Sequence, residues 1–484
     1  MKMSYDVIII GAGVIGSAIA RECSRYQWNT LVLEKNLEVG EGTTKANSAI
    51  VHGGYDALPG TLKARLNVEG ARMIRQLAPL LNFPYEQIGS LVLAFDEKDE
   101  AILRQLLERG RQNGVEGLSI ISREEIPALE PNVSGEVRSA LRCTVAGIVC
   151  PFNLTYALME NALINGVELR TDEPVTGLNP EGELFQVTTD KNHYHAKVVI
   201  NAAGIHAADV AALLGETDYR IRPRRGEYRL LDRSEGQMVR HIIFQTPTQL
   251  GKGVLVTPTV HGNLMIGPDS VEVENPGQRP ATTREGLGRV DALARKSVPN
   301  LRLDRTIRVF SGLRATPDTG DFMIYESKHN PGFLHAGGIE SPGLAASPAI
   351  GRMVCELAAA TGRLPQVKRD QIIERRSGIK AFRQMTPKQR EAAIAADPNY
   401  GSIICRCETV SEAEILQAIH RPAGAVTMDG VKRRVRPGMG RCQGTFCGPK
   451  VIAILARELG ISEEEVLKDS RGSRVILGHT KGKE

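Results

Sequence analysis

The chain has 484 residues, 42% of them hydrophobic, 24% charged and 4% aromatic, with a formal net charge of +5. That length predicts two or three domains, each with its own core, and eight cysteines are too sparse for a disulfide scaffold. A small positive charge with one tryptophan, Trp28, and no interleaved aromatic platform excludes nucleic acid as the main partner.

No apolar run approaches the roughly 18 residues that a membrane helix needs. The strand-like run YDVIII starts at Tyr5 with no charged leader before it, which predicts a cytoplasmic chain with reduced thiols. Peripheral attachment at the inner face of a membrane, through a partner, stays open.

The segment from Tyr5 to Lys35 reads as strand, glycine turn, helix and second strand. Val7 to Ile10 form the continuous apolar run of a parallel strand buried on both faces. Gly11, Gly13 and Gly16 then give G-x-G-x-x-G at the strand-to-helix junction. The first glycine allows the sharp turn, the second lets backbone approach a pyrophosphate, and the third lets helix and strand pack closely. Glu34 ends the second strand, where a carboxylate meets an adenosine ribose. This motif alone does not separate FAD from NAD.

Further along, DEAILRQLLERGRQNG has apolar residues at 102, 103, 106 and 107, an amphipathic helix without chemical implication. AKVVINAAGIH predicts a second buried strand, Val198 to Asn201, entering a helix through Ala202, Ala203 and Gly204. Short runs such as EYRLL, GVLVTP and NLMIG between 219 and 270, separated by turn residues, predict an antiparallel sheet. GFLHAGGIESPG leads from a glycine-rich loop into a helix near Ala345. The positive end of such a helix suits the anionic edge of a reduced flavin.

Residues 366–400 are charged and poor in large apolar side chains, and they predict a linker with some helix. Beyond it, Cys405 and Cys407 form C-x-C, and Cys442 and Cys447 form C-x4-C. Four thiolates serve zinc or iron. C-x-C is awkward around one tetrahedral ion, whereas two irons divide four sulfurs. From Gly401 to Glu484 there are 14 Lys and Arg against 10 Asp and Glu. The basic run Lys432, Arg433, Arg434, Arg436 and Arg441 lies next to the second thiol pair, where it offsets thiolate charge or docks an acidic partner. Cys23, Cys143, Cys150 and Cys355 lack ligand spacing and predict small buried hydrophobes.

Together, GAGVIG, LVLEK, NSAIVHGGYD, INAAG, SGLRATPDTGD and HAGGIESPGLAASPAIG resemble the FAD-dependent oxidoreductases of the D-amino-acid oxidase superfamily. Within it the chain looks most like the anaerobic type of glycerol-3-phosphate dehydrogenase, with L-2-hydroxyglutarate dehydrogenases close behind. GMGRCQGTFCGP with the C-x-C pair resembles the bacterioferritin-associated-ferredoxin-like [2Fe–2S] domain.

These resemblances imply an α/β fold: a Rossmann-like FAD domain of the glutathione-reductase type, a mostly antiparallel α+β substrate domain, and a small C-terminal helical iron–sulfur domain. The FAD domain would comprise about 1–85, 146–215 and 331–365. The substrate domain would comprise about 86–145 and 216–330, and the iron–sulfur domain with its tail 401–484. FAD would be held by Gly11, Gly13, Val14, Ile15, Gly16, Glu34, Lys35, Thr43, Asn47, Ser48, Ala203, Gly204, Gly338, Ile339, Pro342, Gly343 and Leu344. The cluster would be held by Cys405, Cys407, Cys442 and Cys447.

Oxidation of a C–H beside a hydroxyl needs a group to take the hydroxyl proton, and His52 is the candidate; a structural histidine at a turn is the bland alternative. Arg314 is the candidate for the substrate's anionic group, although Ala315 and Thr316 separate it from the proline of the family's strand. Lys252 is a second cationic candidate and Arg225 a weaker one. The resulting expectation is a dehydrogenase of a small anionic hydroxy compound that passes electrons from FAD through a [2Fe–2S] cluster to a partner. L-2-hydroxyglutarate or an amine or imino-acid substrate is the alternative chemistry. A different class, an electron-transfer subunit without its own substrate, also stays open.

Overall fold

A computed structural model describes residues 3–247, 253–273, 281–478 and 480. Strand Met3–Ile10 lies at the centre of the first sheet. It pairs in parallel with Thr30–Leu33 on one side and His193–Asn201 on the other. Val7, Ile8 and Ile9 are fully buried, as a strand covered on both faces requires. Glu168–Arg170 and Phe333–Gly337 extend this parallel core. The hairpin Val175–Glu181 and Leu184–Thr189 continues it with antiparallel strands.

Gly11 shows why the turn after the first strand must be glycine. Its φ is +103°, and a Cβ there would lie 2.6 Å from the Ala202 carbonyl oxygen. Gly16 lets helix Val14–Cys23 touch the turn itself, since its Cβ would lie 1.9 Å from the Gly11 carbonyl oxygen. That helix packs on Gly343–Ala360 through one apolar core that holds Ile19, Ala20, Ala346 and Ile350.

The second sheet is largely antiparallel. Its longest pair joins Ile221–Leu231 to Thr306–Pro317, with Arg224 opposite Arg314 and Gly226 opposite Gly312. The expected runs form strands Leu255–Pro258 and Leu264–Gly267. One parallel pair, Ser90–Ala94 with Ile242–Gln245, ties in the earlier segment. Helix Glu97–Gln112 buries Leu103 and Leu106, two of its four expected apolar positions. Strand Met323–Glu326 lies outside the expected FAD segment 331–365, yet it pairs with Phe333–Gly337 and belongs to the first sheet. A hairpin cannot be divided between two domains without breaking that ladder.

In the C-terminal unit, a small hairpin, Ile403–Cys405 with Val410–Ser411, and helices Glu412–His420, Met428–Val435 and Gly448–Leu459 surround Ile415, Val431, Ile452 and Leu455. Ser411 and Glu414 close a reciprocal capping box at the first of these helices. Segment 366–400 contains helix Pro387–Ala396, and it is not a free tether. The Arg376 guanidinium is buried against Glu160, 2.6 Å away, and donates to the Leu81 carbonyl. Among the described residues no helix is long and apolar enough to cross a membrane.

Candidate active site and thiol centre

A cavity of about 1450 Å³ runs from the end of strand Thr30–Leu33, past the first glycine turn, to the junction of the two sheets. It exceeds the roughly 300–1,000 Å³ typical of small-ligand pockets and suits an elongated ligand. At one end, Glu34 accepts from the Ala12 N–H at 2.8 Å with one carboxylate oxygen and from Asn36 with the other. The carboxylate is thereby fixed at the glycine turn. A Cβ on Gly13 would meet only Thr44 Oγ1, at 3.3 Å, so this stretch of backbone is bare on the cavity side. The helix starting at Val14 has no side-chain cap on its own N-cap residue, although Thr44 Oγ1 accepts from the Val14 N–H. Helix Gly343–Ala360 likewise begins at the cavity wall with no acidic side chain in its first turn.

Of the residues expected to hold FAD, all but Gly16 and Gly338 line this cavity. Those two act one layer back. Gly16 packs helix on turn, and Gly338, with φ +62°, turns the chain beside Pro317. The loop 43–49 is fastened on both sides: Thr43 donates to the Leu313 carbonyl at 2.6 Å, and Asn47 donates to the Thr44 carbonyl while accepting from the Ala49 N–H. A bare phosphate-facing turn, two helix N-termini and a fixed carboxylate at the far end fit FAD.

His52 follows strand Ile50–Val51 and lies buried against Tyr55 and Phe244, with ring centroids 4.6 and 5.8 Å away. Its carbonyl accepts from Asn67 Nδ2 and its Nδ1 accepts from the Gly54 N–H at 3.1 Å. The neutral ring in this arrangement carries its proton on Nε2. To receive a proton at Nε2 it must hold the other tautomer and give up the Gly54 contact.

Arg314 also lines the cavity. Its guanidinium donates to Ser270 Oγ at 3.3 Å and to the Asp269 carbonyl at 3.2 Å, both neutral acceptors. Gly226 makes room for it, since a Cβ there would lie 2.7 Å from Arg314 Nη2. Arg225, a weaker cationic candidate, is turned away from the cavity and pairs with buried Glu227 at 2.9 Å. Its neighbour Arg224 lines the cavity instead. Adjacent strand residues face opposite sides, so RPRR offers both choices and only the register with Arg314 decides. Sequence reasoning also missed Asp269, whose carboxylate accepts from the Glu227 N–H and from Arg289 and so steadies the carbonyl that holds Arg314. Lys252 lies outside the described residues.

The four ligand-spaced cysteines converge as two pairs. Cys407 Sγ and Cys442 Sγ are 3.6 Å apart, while Cys405 and Cys447 share a thiol hydrogen bond. That bond, with the Gly438 and Glu408 N–H groups, brings Cys405 down to about 6. The Phe446 and Gly444 N–H groups lower Cys442. Gly440 allows the loops to meet, since its Cβ would lie 2.4 Å from Cys407 Cβ. Paired sulfurs ringed by N–H donors fit a [2Fe–2S] cluster. Cys23, Cys143, Cys150 and Cys355 are buried, as expected.

The basic run divides in two. Arg433 and Arg434 turn away from the thiols toward Glu41 and Glu38 of the first domain, whereas Arg436 joins Arg233 and Arg383 on Glu408, next to Cys407. The reason is burial: Glu38, Glu41 and Glu408 are themselves enclosed and need cationic partners.

Residues 403–457 match the BFD-like [2Fe-2S] binding domain. The chain is 46% identical to the glycerol 3-phosphate dehydrogenase of Caloramator mitchellensis over 99% of both chains. It is 32% identical to the glycerol 3-phosphate oxidase of Mycoplasma genitalium over 73% of this chain and 94% of that one. The dithionite-reduced, FAD-bound L-alpha-glycerophosphate oxidase of Mycoplasma pneumoniae superposes with a TM-score of 0.73 at 29% identity, over 77% of this chain and 98% of that one. Residues 6–357 match the FAD dependent oxidoreductase model, and the chain belongs to that family.

Proposed function

We propose that this protein oxidises glycerol 3-phosphate, or a closely similar small anionic hydroxy compound, and passes the electrons through its [2Fe–2S] centre to an acceptor protein. The observation that carries the substrate class is the pair Arg224 and Arg314, directly opposite each other across two antiparallel strands and both lining the cavity. Two guanidinium groups on one cavity wall offer charge-assisted donors to a phosphate or carboxylate. The names of the relatives, glycerol 3-phosphate dehydrogenase and oxidase, support the same choice.

FAD when bound supplies a two-electron acceptor for the hydride of a carbinol C–H, and the cluster supplies a one-electron outlet. The chain's own residues do the rest. Arg314 and Arg224 hold the anionic group. His52, once in the tautomer with its proton on Nδ1 and the Gly54 contact released, takes the hydroxyl proton at Nε2 as the carbonyl forms, while Tyr55 and Phe244 keep its ring in place. The reading puts the enzyme in the cytoplasm, with any membrane attachment made through the acceptor.

The test is anaerobic mixing of the FAD-loaded protein with glycerol 3-phosphate, L-2-hydroxyglutarate, glycine, proline and glycerol. Rapid loss of oxidised-flavin absorbance with glycerol 3-phosphate is the expected result. Reduction by L-2-hydroxyglutarate or an amino acid alone would move the substrate assignment. No reduction by any of them, with the flavin still reducible by a partner protein, would favour an electron-transfer subunit.

A further inference from the structure

The C-terminal tail reaches back to the dinucleotide cavity. Residues 467–474 form a tight hairpin: Leu467 bridges Arg474, and Ser473 Oγ accepts from the Asp469 and Ser470 N–H groups. On the iron–sulfur side it is tied to helix Met428–Val435. The Met428 and Asp429 N–H groups donate to the Leu467 and Lys468 carbonyls, and Lys468 Nζ lies 3.1 Å from Asp429.

The hairpin tip spans the cavity. On one side Asp469 pairs with Lys45 and Arg433, each at 3.1 Å. On the other, Arg471 grips Asp172 with Nε and Nη2, at 2.5 and 2.7 Å. Lys45 belongs to the loop around the phosphate-facing turn. Asp172 precedes Glu173 to Thr176, which line the cavity, and its N–H is bonded to the Asn36 carbonyl beside Glu34. Asp469 and Ser470 themselves line the cavity.

We infer that this hairpin is a wall of the FAD site supplied by the iron–sulfur domain, and that it slows escape of the bound dinucleotide. The inference rests on the FAD assignment. Its logic is geometric: loops 41–47 and 172–176 must separate for the adenosine end to leave, and the hairpin cross-links them. The Arg471–Asp172 pair is half-open to solvent and therefore sensitive to salt.

The test is FAD release from the holoenzyme, followed as free-flavin fluorescence after dilution, with iron content measured in parallel. Exposed pairs are weak, so Arg471→Ala should accelerate release by about two- to five-fold. Asp469→Ala with Arg471→Ala should give about ten-fold, and each variant should keep its iron. Salt should accelerate release in the native protein and lose that effect in Arg471→Ala. Arg471→Lys, which keeps the charge opposite Asp172, should retain part of the slow release. Native release rates in the double alanine variant would overturn the inference. A native protein that binds no FAD would overturn the cofactor assignment instead.

Discussion

Arg314→Ala tests the substrate assignment most directly. The guanidinium's contacts to Ser270 Oγ and the Asp269 carbonyl orient it without neutralising it, and Arg224 opposite adds a second positive charge. On the proposed reading, a bound phosphate or carboxylate would take a charge-assisted bond from Arg314, and such bonds contribute roughly 1.5–3 kcal/mol. At about 1.4 kcal/mol per factor of ten, kcat/KM for glycerol 3-phosphate should fall about ten-fold to a hundred-fold or somewhat more. Arg314→Lys should recover only part of this, because a point charge does not reproduce the planar fork. Gly226→Ala should reproduce much of the defect while leaving Arg314 in place, since the added methyl would stand 2.7 Å from Nη2 and displace the guanidinium. Initial rates with glycerol 3-phosphate and with glycerol, at matched FAD content, make the comparison. Equal losses for the charged and the neutral substrate would refute the reasoning and leave Arg314 a role in folding alone.

His52→Gln should reduce the rate of flavin reduction more than it alters substrate affinity, as single-turnover kinetics would register. His52→Asn should be no better, because its amide mimics the Nδ1 side that already faces Gly54. Cys442→Ser should remove the cluster, read as loss of iron, while substrate still reduces the flavin, because none of the four thiols lines the cavity. The folded Glu41 carboxyl is raised to about 7 from 4.5, chiefly by burial against the opposing pull of Arg433 and Lys45. Its contribution to stability is therefore present below pH 4.5 and lost as pH rises through 7. Glu41→Gln should flatten the dependence of Tm across pH 5 to 7.

What could be read from the sequence was whatever a residue type must do alone. Gly11 and Gly16 report contacts that no side chain survives, so the turn, the helix and the cavity they frame followed from two letters. The cysteine spacing was equally direct, because sulfur pairs must meet. Arg224 was not legible: choosing it over Arg225 needs the register with strand Thr306–Pro317, which lies some ninety positions away. Nor was the tail's return to the cavity. Asp469 and Lys45 are separated by nearly the whole chain, and nothing local in either marks the other. The supposed linker misled for a related reason. Low apolar content predicts little burial, yet Arg376 is enclosed because Glu160 waits for it.

That pattern of charge explains how the two halves are held in one geometry. Glu38 sits at the N-terminus of helix Met428–Val435, where it accepts from the Val426 and Thr427 N–H groups and from Thr427 Oγ1. Gly430 is required there, since its Cβ would lie 1.9 Å from the carboxylate. Arg434 closes the arrangement by pairing with Glu38 at 2.5 Å while its guanidinium lies 4.0 Å from the Tyr156 ring centroid. Glu160 receives Arg376 from the connecting segment and Arg421 from the iron–sulfur domain. An apolar interface tolerates sliding, because one methyl replaces another at little cost. A buried carboxylate does not: a shift of a few ångströms strips it of donors, and breaking such a pair costs roughly 3–5 kcal/mol. The contacts therefore favour a single docking of thiol centre on dinucleotide domain. The separation between thiol loops and cavity is thereby set by Glu38, Glu160 and their arginines, none of which lines the cavity itself.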